Sequence, residues 1–170
     1  MEQLSPNEWF IVATLGVLLV VLILGRLLLT GAKPPYERRP SLVTDTERHF
    51  FDSLQEAVDG RWAVFSMVRL ADIIRVKPKT PKWQSWQNKI QAKHIDFVIC
   101  EWGTLEILLA IELDDRSHER ADRIRRDKFV DGALSAADVP ILRVKAAKSY
   151  KVGELRRSIQ RRIKERRNAA

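Results

Sequence analysis

An unbroken apolar segment near the N-terminus constrains this chain more than any other feature. From Trp9 to Leu29 the sequence reads WFIVATLGVLLVVLILGRLLL, and only Thr14 and Arg26 interrupt its apolar character. At about 1.5 Å per helical residue, some 20 residues cross a hydrocarbon layer of roughly 30 Å. A helix on a soluble core carries a polar face at regular spacing, and this segment has none. It therefore predicts a single transmembrane helix.

A cleaved signal peptide is the alternative to a retained anchor. Signal peptides begin with a basic region and end at a small-residue cleavage site. The residues before the apolar segment include Glu2 and Glu8 but no Lys or Arg, and no A-x-A pattern follows the segment. We therefore expect residues 1–30 to stay as a membrane anchor.

The charges that flank the anchor predict its orientation. Arg26, Lys33, Arg38 and Arg39 lie at its C-terminal end or just after it, whereas no basic side chain precedes it. Loops rich in Lys and Arg stay on the cytoplasmic side of a membrane. The sequence thus predicts a single-pass protein of the inner, cytoplasmic membrane, with the N-terminus outside and the C-terminal domain in the cytoplasm.

The part of the chain beyond the anchor is strongly basic. Without residues 1–30, 29 basic and 20 acidic side chains remain, a formal charge of +9. Such a surplus attracts nucleic acid or anionic lipid headgroups, although it also serves solubility. Cys100 is the one cysteine, which excludes an internal disulfide and a thiolate zinc cluster and fits a reducing compartment.

Pattern and turn residues divide the rest into a linker, residues 31–41, and one domain, residues 42–167. Thr44 and Glu47 have the spacing of a capping box that starts a helix ending near Gly60. The segment 77–93 combines lysines with Trp83 and Trp86 and predicts a mostly irregular stretch with a short helix. The predicted strands are Trp62–Leu70, His94–Glu101, Leu105–Leu113 and Pro140–Lys145, and further helices are predicted over His118–Ala137 and Val152–Arg167. This order predicts an α/β fold with a mixed central sheet flanked by helices.

Two acidic residues interrupt the predicted hairpin of strands 94–101 and 105–113. Asp96 lies in the apolar run HIDFVIC, and Glu112 ends the run LEILLAIE. Alternation places Leu105, Ile107, Leu109, Ile111 and Leu113 on one apolar face and Glu112 on the other. A turn at residues 102–104 brings Asp96 roughly opposite residues 110–112, with Asp114 just beyond. Converging carboxylates repel each other unless a cation lies between them, and Mg²⁺ prefers such oxygen ligands.

Six segments of the chain carry a resemblance to a known bacterial family. ERHFF (47–51), VRLADII (68–74), HIDFVIC (94–100), AIELDDRSH (110–118), RRDKFVDGAL (125–134) and PILRVK (140–145) resemble the DUF2726 domain. That family is assigned to the PD-(D/E)XK, or restriction-endonuclease-like, nuclease superfamily. The resemblance covers about residues 42–160. It implies a restriction-endonuclease-like core and hydrolysis of nucleic-acid phosphodiesters with Mg²⁺ or Mn²⁺.

The same resemblance implies roles for individual residues. Asp96 and Glu112 match the proximal and distal metal-binding acids, and Glu47 resembles an additional acid on the first helix. Asp114 stands where the superfamily usually has a lysine. The E-x-D…H arrangement is more similar to very-short-patch mismatch-repair endonucleases, which implies a metal-binding role for Asp114 and acid–base or water contacts for His118.

Each of these residues also has a structural interpretation. Asp96 and Glu112 could pair with Arg143, Asp114 could cap the following helix, and Glu47 belongs to the predicted capping box. Trp83, Trp86 and the neighbouring lysines suit either unpaired bases or a membrane interface. A binding or scaffold module on a non-catalytic nuclease fold is therefore the alternative to an enzyme.

Overall fold

The computed structural model describes residues 5–29, 33–114 and 121–169. The chain divides into two units, Met1–Arg39 and Pro40–Ala170. In the first unit the apolar segment forms helix α1, Pro6–Leu29. Ser5 and Glu8 cap its start reciprocally, and Thr14 Oγ1 donates a 2.8 Å hydrogen bond to the Phe10 carbonyl. Its backbone polar groups are thus paired along the helix, as a hydrocarbon environment demands.

Helix α1 has the length and composition of a membrane span. Among the described residues, Pro6–Leu28 is the one stretch that combines helical length with such apolar composition, and its mean hydropathy is 2.7. None of the side chains in its most apolar window is buried. The predicted apolar helix is therefore present.

The second unit begins with helix α2, Asp45–Val58. Thr44 Oγ1 accepts from the Glu47 backbone N–H at 3.3 Å, and Glu47 Oε2 accepts from the Thr44 N–H at 2.7 Å. The predicted capping box is confirmed. Asp59, in the left-handed conformation, ends the helix, and Gly60 follows with φ of +65°, a region that glycine enters at little cost.

Four strands form the mixed central sheet that the sequence predicts. They are β1 (Trp62–Arg69), β2 (His94–Glu101), β3 (Ile107–Asp114) and β4 (Ile141–Lys145), in the order β1-β2-β3-β4. The pairs β1–β2 and β2–β3 are antiparallel, whereas β3–β4 is parallel. A parallel pair needs a long crossover, and helix α5, Ala121–Ser135, lies in that connection. The predicted start of this helix, near His118, lies outside the described residues.

Two short helices separate β1 from β2. Helix α3 spans Leu70–Ile73, and helix α4 spans Trp83–Gln91. The predicted short helix in the basic segment is thus present, whereas α3 was not predicted. A tight turn of four residues leaves too little periodicity to be read from sequence.

Both faces of the sheet are covered. Helix α2 and the C-terminal helix α6, Val152–Ala169, pack on one face around Phe50, Phe97 and Ile159. Helices α3, α4 and α5 pack on the other face around Val98, Ala110 and Leu134. The unit therefore has helices on both sides of one sheet, and the central strand β3 is shielded from water on both faces.

One detail of the predicted apolar face is wrong. Leu105 does not face the core, because β3 begins at Ile107 and Leu105 lies in the hairpin connection with φ of +56° and more than half of its surface exposed. The β2–β3 register also shifts between Ile99 and Cys100. As a result, Ile107 packs with Ala110 on the other face, whereas Leu108 packs with Leu109 and Ile111. Helices on both sides of the sheet explain why both faces of β3 are apolar.

Candidate functional site

Asp96 and Glu112 lie across from each other on the two central strands. The β2–β3 register pairs Phe97 with Ile111 and Val98 with Ala110. One further step in that register sets Asp96 opposite Glu112. Opposed residues on neighbouring strands project from the same face of the sheet, here the face that carries α5. The structure thus brings together the two acids that the sequence singled out.

Asp96 is partly buried, and its carboxylate has a backbone partner. Asp96 Oδ2 accepts a 2.7 Å hydrogen bond from the Leu113 N–H. Burial raises the pKa of Asp96 above its ordinary value, and repulsion from Glu47 and Asp114 adds to this, while the Leu113 bond and Arg126 act in the opposite direction. The charged form of Asp96 is therefore disfavoured but held by two favourable contacts.

Glu112 is the most unusual group of the site. Only 8% of its surface is exposed, and its Oε1 atom is buried with no hydrogen-bond partner among the described residues. Burial, followed by repulsion from Asp96, raises the pKa of Glu112 to about 8. Buried polar atoms are nearly always paired, and an unpaired one calls for a specific explanation such as a proton, a water or a cation. Within the part of the chain that the structure describes, the site therefore holds a buried oxygen atom without a hydrogen-bond partner.

Arg143 lies on β4, the strand that neighbours Glu112 on the side away from Asp96. It is the residue that pairs with Glu112 in the β3–β4 register. Its guanidinium instead contacts three aspartates: Nη1 lies 2.9 Å from Asp114 Oδ1, and Nη2 lies 2.9 Å from Asp131 Oδ1 and 3.7 Å from Asp127 Oδ1. Sequence reasoning proposed Arg143 as a partner for Asp96 or Glu112, and the structure pairs it with aspartates of β3 and α5.

Asp114 therefore has a partner in the structure, and its side chain is 28% exposed. In the described part of the chain, no group of three or more His, Cys, Asp or Glu side chains is arranged to hold a metal ion. The described site thus offers two opposed carboxylates, Asp96 and Glu112, and Asp114 beside them on Arg143. His118 lies outside the described residues.

Glu47 forms the predicted cap and also lies near enough to Asp96 for its charge to act on that residue. Its carboxylate closes the capping box of α2, and its charge contributes to the raised pKa of Asp96. The first turn of α2 thus lies within electrostatic range of the opposed acids. A helical cap and a position beside the site are compatible in this fold.

A strained backbone position faces Asp96 from the other neighbouring strand. The β1–β2 register runs from Ser66–Phe97 to Val68–Ile95, and Met67, between them, has φ of +56°. A left-handed conformation inside a strand is costly for a side chain such as methionine and is typical of bulges beside functional sites. Nothing in the sequence around Met67 indicates this distortion.

Arg126 acts on both acids, a role that its sequence position allows but does not favour over a solvated helix face. Its charge lowers the pKa of both Asp96 and Glu112, against the burial that raises them, and its Nη2 lies 3.4 Å from the His94 carbonyl. The signal that could have found it is its place on the helix that crosses from β3 to β4, since such a helix packs on the face carrying Asp96 and Glu112.

Comparison with known proteins gives one family. Residues 39–163 match the family described as protein of unknown function (DUF2726). No curated protein and no solved structure matches the chain. The match covers the sheet, the helices that flank it and the opposed acids. The chain therefore belongs to the DUF2726 family.

Proposed function

We propose that this protein is a membrane-anchored, divalent-metal-dependent phosphodiesterase that acts on nucleic acid through a restriction-endonuclease-like core. The observation that carries the proposal is the buried, unpartnered Oε1 atom of Glu112 beside the Asp96 carboxylate. Two facing carboxylates with raised pKa values are poorly stabilised by the described residues alone. A cation bound between them satisfies the free oxygen and removes their repulsion.

Asp96 and Glu112 are the residues that would hold the metal. Mg²⁺ is commonly bound by one or two carboxylates, with water and substrate phosphate completing its shell, so two opposed acids suffice. When bound, such an ion activates water and offsets charge on a phosphoryl group. The Leu113 N–H fixes the orientation of Asp96, and the covering of β3 on both faces keeps bulk water away from Glu112.

The chain's own cations have a part in this proposal. Nuclease folds of the resembled type use a lysine two residues after the distal acid, and this chain has Asp114 there. Arg126, whose charge acts on both acids, provides positive charge near a bound phosphate. An arginine stabilises phosphate charge but does not accept protons. We assign proton transfer to His118 and retain Asp114 as an accessory acid that Arg143 positions.

Location and substrate class form part of the same proposal. Helix α1 is a retained anchor in the bacterial inner membrane, with the domain in the cytoplasm, and the +9 charge of the part after residue 30 attracts nucleic acid. A thiol-labelling assay tests the orientation. With Cys100 replaced by Ala, a cysteine placed at Ser5 reacts with an impermeant reagent in intact cells, and one placed at Ser41 reacts only after lysis. The reverse pattern contradicts the assignment.

Cleavage by the full chain in detergent tests the activity. Single- and double-stranded DNA and RNA are incubated with Mg²⁺, Mn²⁺ or EDTA, and Asp96→Asn and Glu112→Gln are compared with Glu106→Gln, an exposed acid of the same hairpin. We expect metal-dependent cleavage that the first two changes abolish and the third leaves intact. Absence of cleavage with every metal, or cleavage unchanged by both site changes, contradicts the enzyme.

One observation favours a second function, a nucleic-acid-binding or scaffold module without catalysis. Asp114 occupies the position of the usual lysine and is paired with Arg143 at 2.9 Å. That arrangement suits a structural network as well as a catalytic one. Salt-sensitive nucleic-acid binding that needs no metal and is not followed by cleavage supports this module.

A further inference from the structure

A second cavity lies on the same unit but shares no residue with the carboxylate site. It has a volume of about 430 Å³ and is formed by the α3–α4 connection, α4 and α5. Its wall is apolar and includes Ile74, Val76, Trp86, Ile90, Phe129 and Ala133. This volume lies within the range of small-molecule sites, which are mostly apolar with a few polar groups at defined places.

Apart from the Thr80 hydroxyl, the polar side chains that line this cavity are cations at its edge. Arg75 and Lys128 line it and are exposed. Lys89 Nζ lies 4.4 Å from the centre of the Trp86 ring, and Lys93 Nζ lies 4.9 Å from that of Phe129. The cavity thus combines an apolar interior with a cationic edge, which is the complement of an anionic amphiphile.

The surface beside the cavity exposes aromatic rings to solvent. Trp83 is 43% exposed and Trp86 45% exposed, both on α4. Tryptophan with lysine is the combination that prefers the headgroup level of a bilayer, where one end of the indole is apolar and the other is wet. Large apolar rings left exposed in a patch mark an interaction site more often than chance exposure does.

We propose that this cavity binds one acyl chain of an anionic phospholipid, with the headgroup at Arg75 and Lys128. An acyl chain matches the apolar wall. The hydroxyl of Thr80, which also lines the cavity, already donates a 2.7 Å hydrogen bond to the Lys77 carbonyl, so the wall offers little to the polar edges of a nucleic-acid base. The apolar helix α1, on the same chain, has the composition to span a bilayer, so lipid is present at high effective concentration. The proposal is independent of the carboxylate site.

Tryptophan quenching by brominated lipid tests the proposal on the full chain. The protein carries Trp9→Phe, which removes the indole of the apolar helix, and is placed in nanodiscs that contain EDTA and lipid brominated on the acyl chain. One set of discs has phosphatidylglycerol and the other phosphatidylcholine. We expect stronger quenching in the phosphatidylglycerol discs, and we expect Trp86→Phe to lose that excess.

Two glycine substitutions make a matched pair. Gly132 lines the cavity on α5, and a Cβ placed there meets no atom within 4 Å. Gly132→Leu therefore adds a side chain to the cavity wall from a position where its Cβ has open space, and leucine has better helix propensity than glycine. Gly153→Leu, on α6, places the same side chain on another helix, where the nearest atom to a Cβ is 3.8 Å away. The Gly132→Leu protein should show no excess quenching in phosphatidylglycerol discs, whereas the Gly153→Leu protein should keep it. Lys128→Glu should also abolish the excess.

Three results overturn the proposal. The first is equal quenching in the two kinds of disc, which indicates contact without headgroup recognition. The second is a Gly132→Leu protein that behaves like Gly153→Leu. The third concerns a single-stranded oligonucleotide that removes the excess quenching in phosphatidylglycerol discs. If the same oligonucleotide also binds the protein in phosphatidylcholine discs, and binds the Gly132→Leu protein equally well, the aromatic and basic surface belongs to nucleic acid.

Discussion

The Leu113 N–H donates a 2.7 Å hydrogen bond to Asp96 Oδ2 and so ties a side chain of β2 to the backbone of β3. The bond lies next to Glu112, on the strand that supplies the opposing acid. It gives Asp96 a structural role that is separable from any role in chemistry, because an amide can accept the same bond. This separation allows stability and activity to be tested with different variants of one residue.

Asp96→Ala should destabilise the protein, and Asp96→Asn should not. Alanine leaves a partly buried N–H without an acceptor, which costs about 1–3 kcal/mol. Asparagine keeps an oxygen for Leu113 and removes the charge that burial disfavours. Unfolding of the full chain in detergent, followed by circular dichroism, measures the difference. Equal losses of stability for the two variants contradict the role given to the Leu113 bond, whereas loss of cleavage in both agrees with the proposed function.

Glu112 should make the protein less stable as the pH rises from about 5 to 8. Its pKa is raised to about 8 in the folded protein, against roughly 4.3 in an unfolded chain. Between those values Glu112 keeps a proton in the folded state that it has released in the unfolded state. The stabilising contribution of Glu112 is therefore complete below the unfolded pKa and is lost as the pH rises through the folded pKa. The slope for one group is about 1.4 kcal/mol per pH unit.

The control for this prediction is Glu112→Gln, which should flatten the stability profile in that interval. Saturating Mg²⁺ should also flatten it for the unmodified chain, because a bound cation favours the charged carboxylate and binds only the folded state. If the unmodified chain and Glu112→Gln have the same pH profile, the raised pKa assigned to Glu112 is wrong. If the two profiles differ but neither Mg²⁺ nor Mn²⁺ changes them, the result supports a buried, protonated Glu112 and contradicts metal binding at this site.

Arg143→Met should destabilise the protein, because three aspartates lose the cation that they share. The change removes the guanidinium that contacts Asp114, Asp127 and Asp131 and leaves their charges close together. Because Arg143 is 24% exposed, we expect a loss of about 1–3 kcal/mol at pH 7, below that for a fully buried pair. Denaturant unfolding of the full chain in detergent measures this loss.

Arg69→Met is the matched control, since Arg69 pairs with Asp72 on the surface, with both side chains about half exposed. Its effect on unfolding should be much smaller, because water and salt screen an exposed pair. Similar effects for the two arginines contradict the view that Arg143 holds the acids beside Glu112 in place.

The sequence predicts the sheet better than it predicts the partners of the site. The hairpin, the mixed sheet and the opposition of Asp96 and Glu112 follow from alternation and turn length, which are local. The pairing of Arg143 with aspartates of α5 depends on how a crossover helix is rotated over the sheet, and that rotation is set by packing at Val130 and Leu134. The influence of Arg126 on the two acids depends on the same rotation.

Two further features have no sequence signal. Met67 takes a left-handed conformation although nothing in WAVFSMVR indicates this local distortion. The unpaired oxygen of Glu112 is a property of its surroundings in three dimensions, and a glutamate near the end of an apolar strand has the same sequence pattern whether or not a partner awaits it. The acids could therefore be predicted, but their energetic state could not.

Glu47→Gln separates the capping role of this residue from its electrostatic role. Glutamine keeps a side-chain oxygen for the Thr44 N–H, which lies 2.7 Å from Glu47 Oε2, so helix α2 should remain as stable as before. Removing the charge should lower the pKa of Asp96, because repulsion from Glu47 helps to raise it. A cation that also relieves this repulsion should then bind less tightly, which titration calorimetry with Mn²⁺ measures.

Thr44→Ala is the complementary change, with a lost cap worth about 1 kcal/mol and the charge retained. If Glu47→Gln weakens the fold as Thr44→Ala does while Mn²⁺ binding stays the same, Glu47 is a cap and has no part in the site.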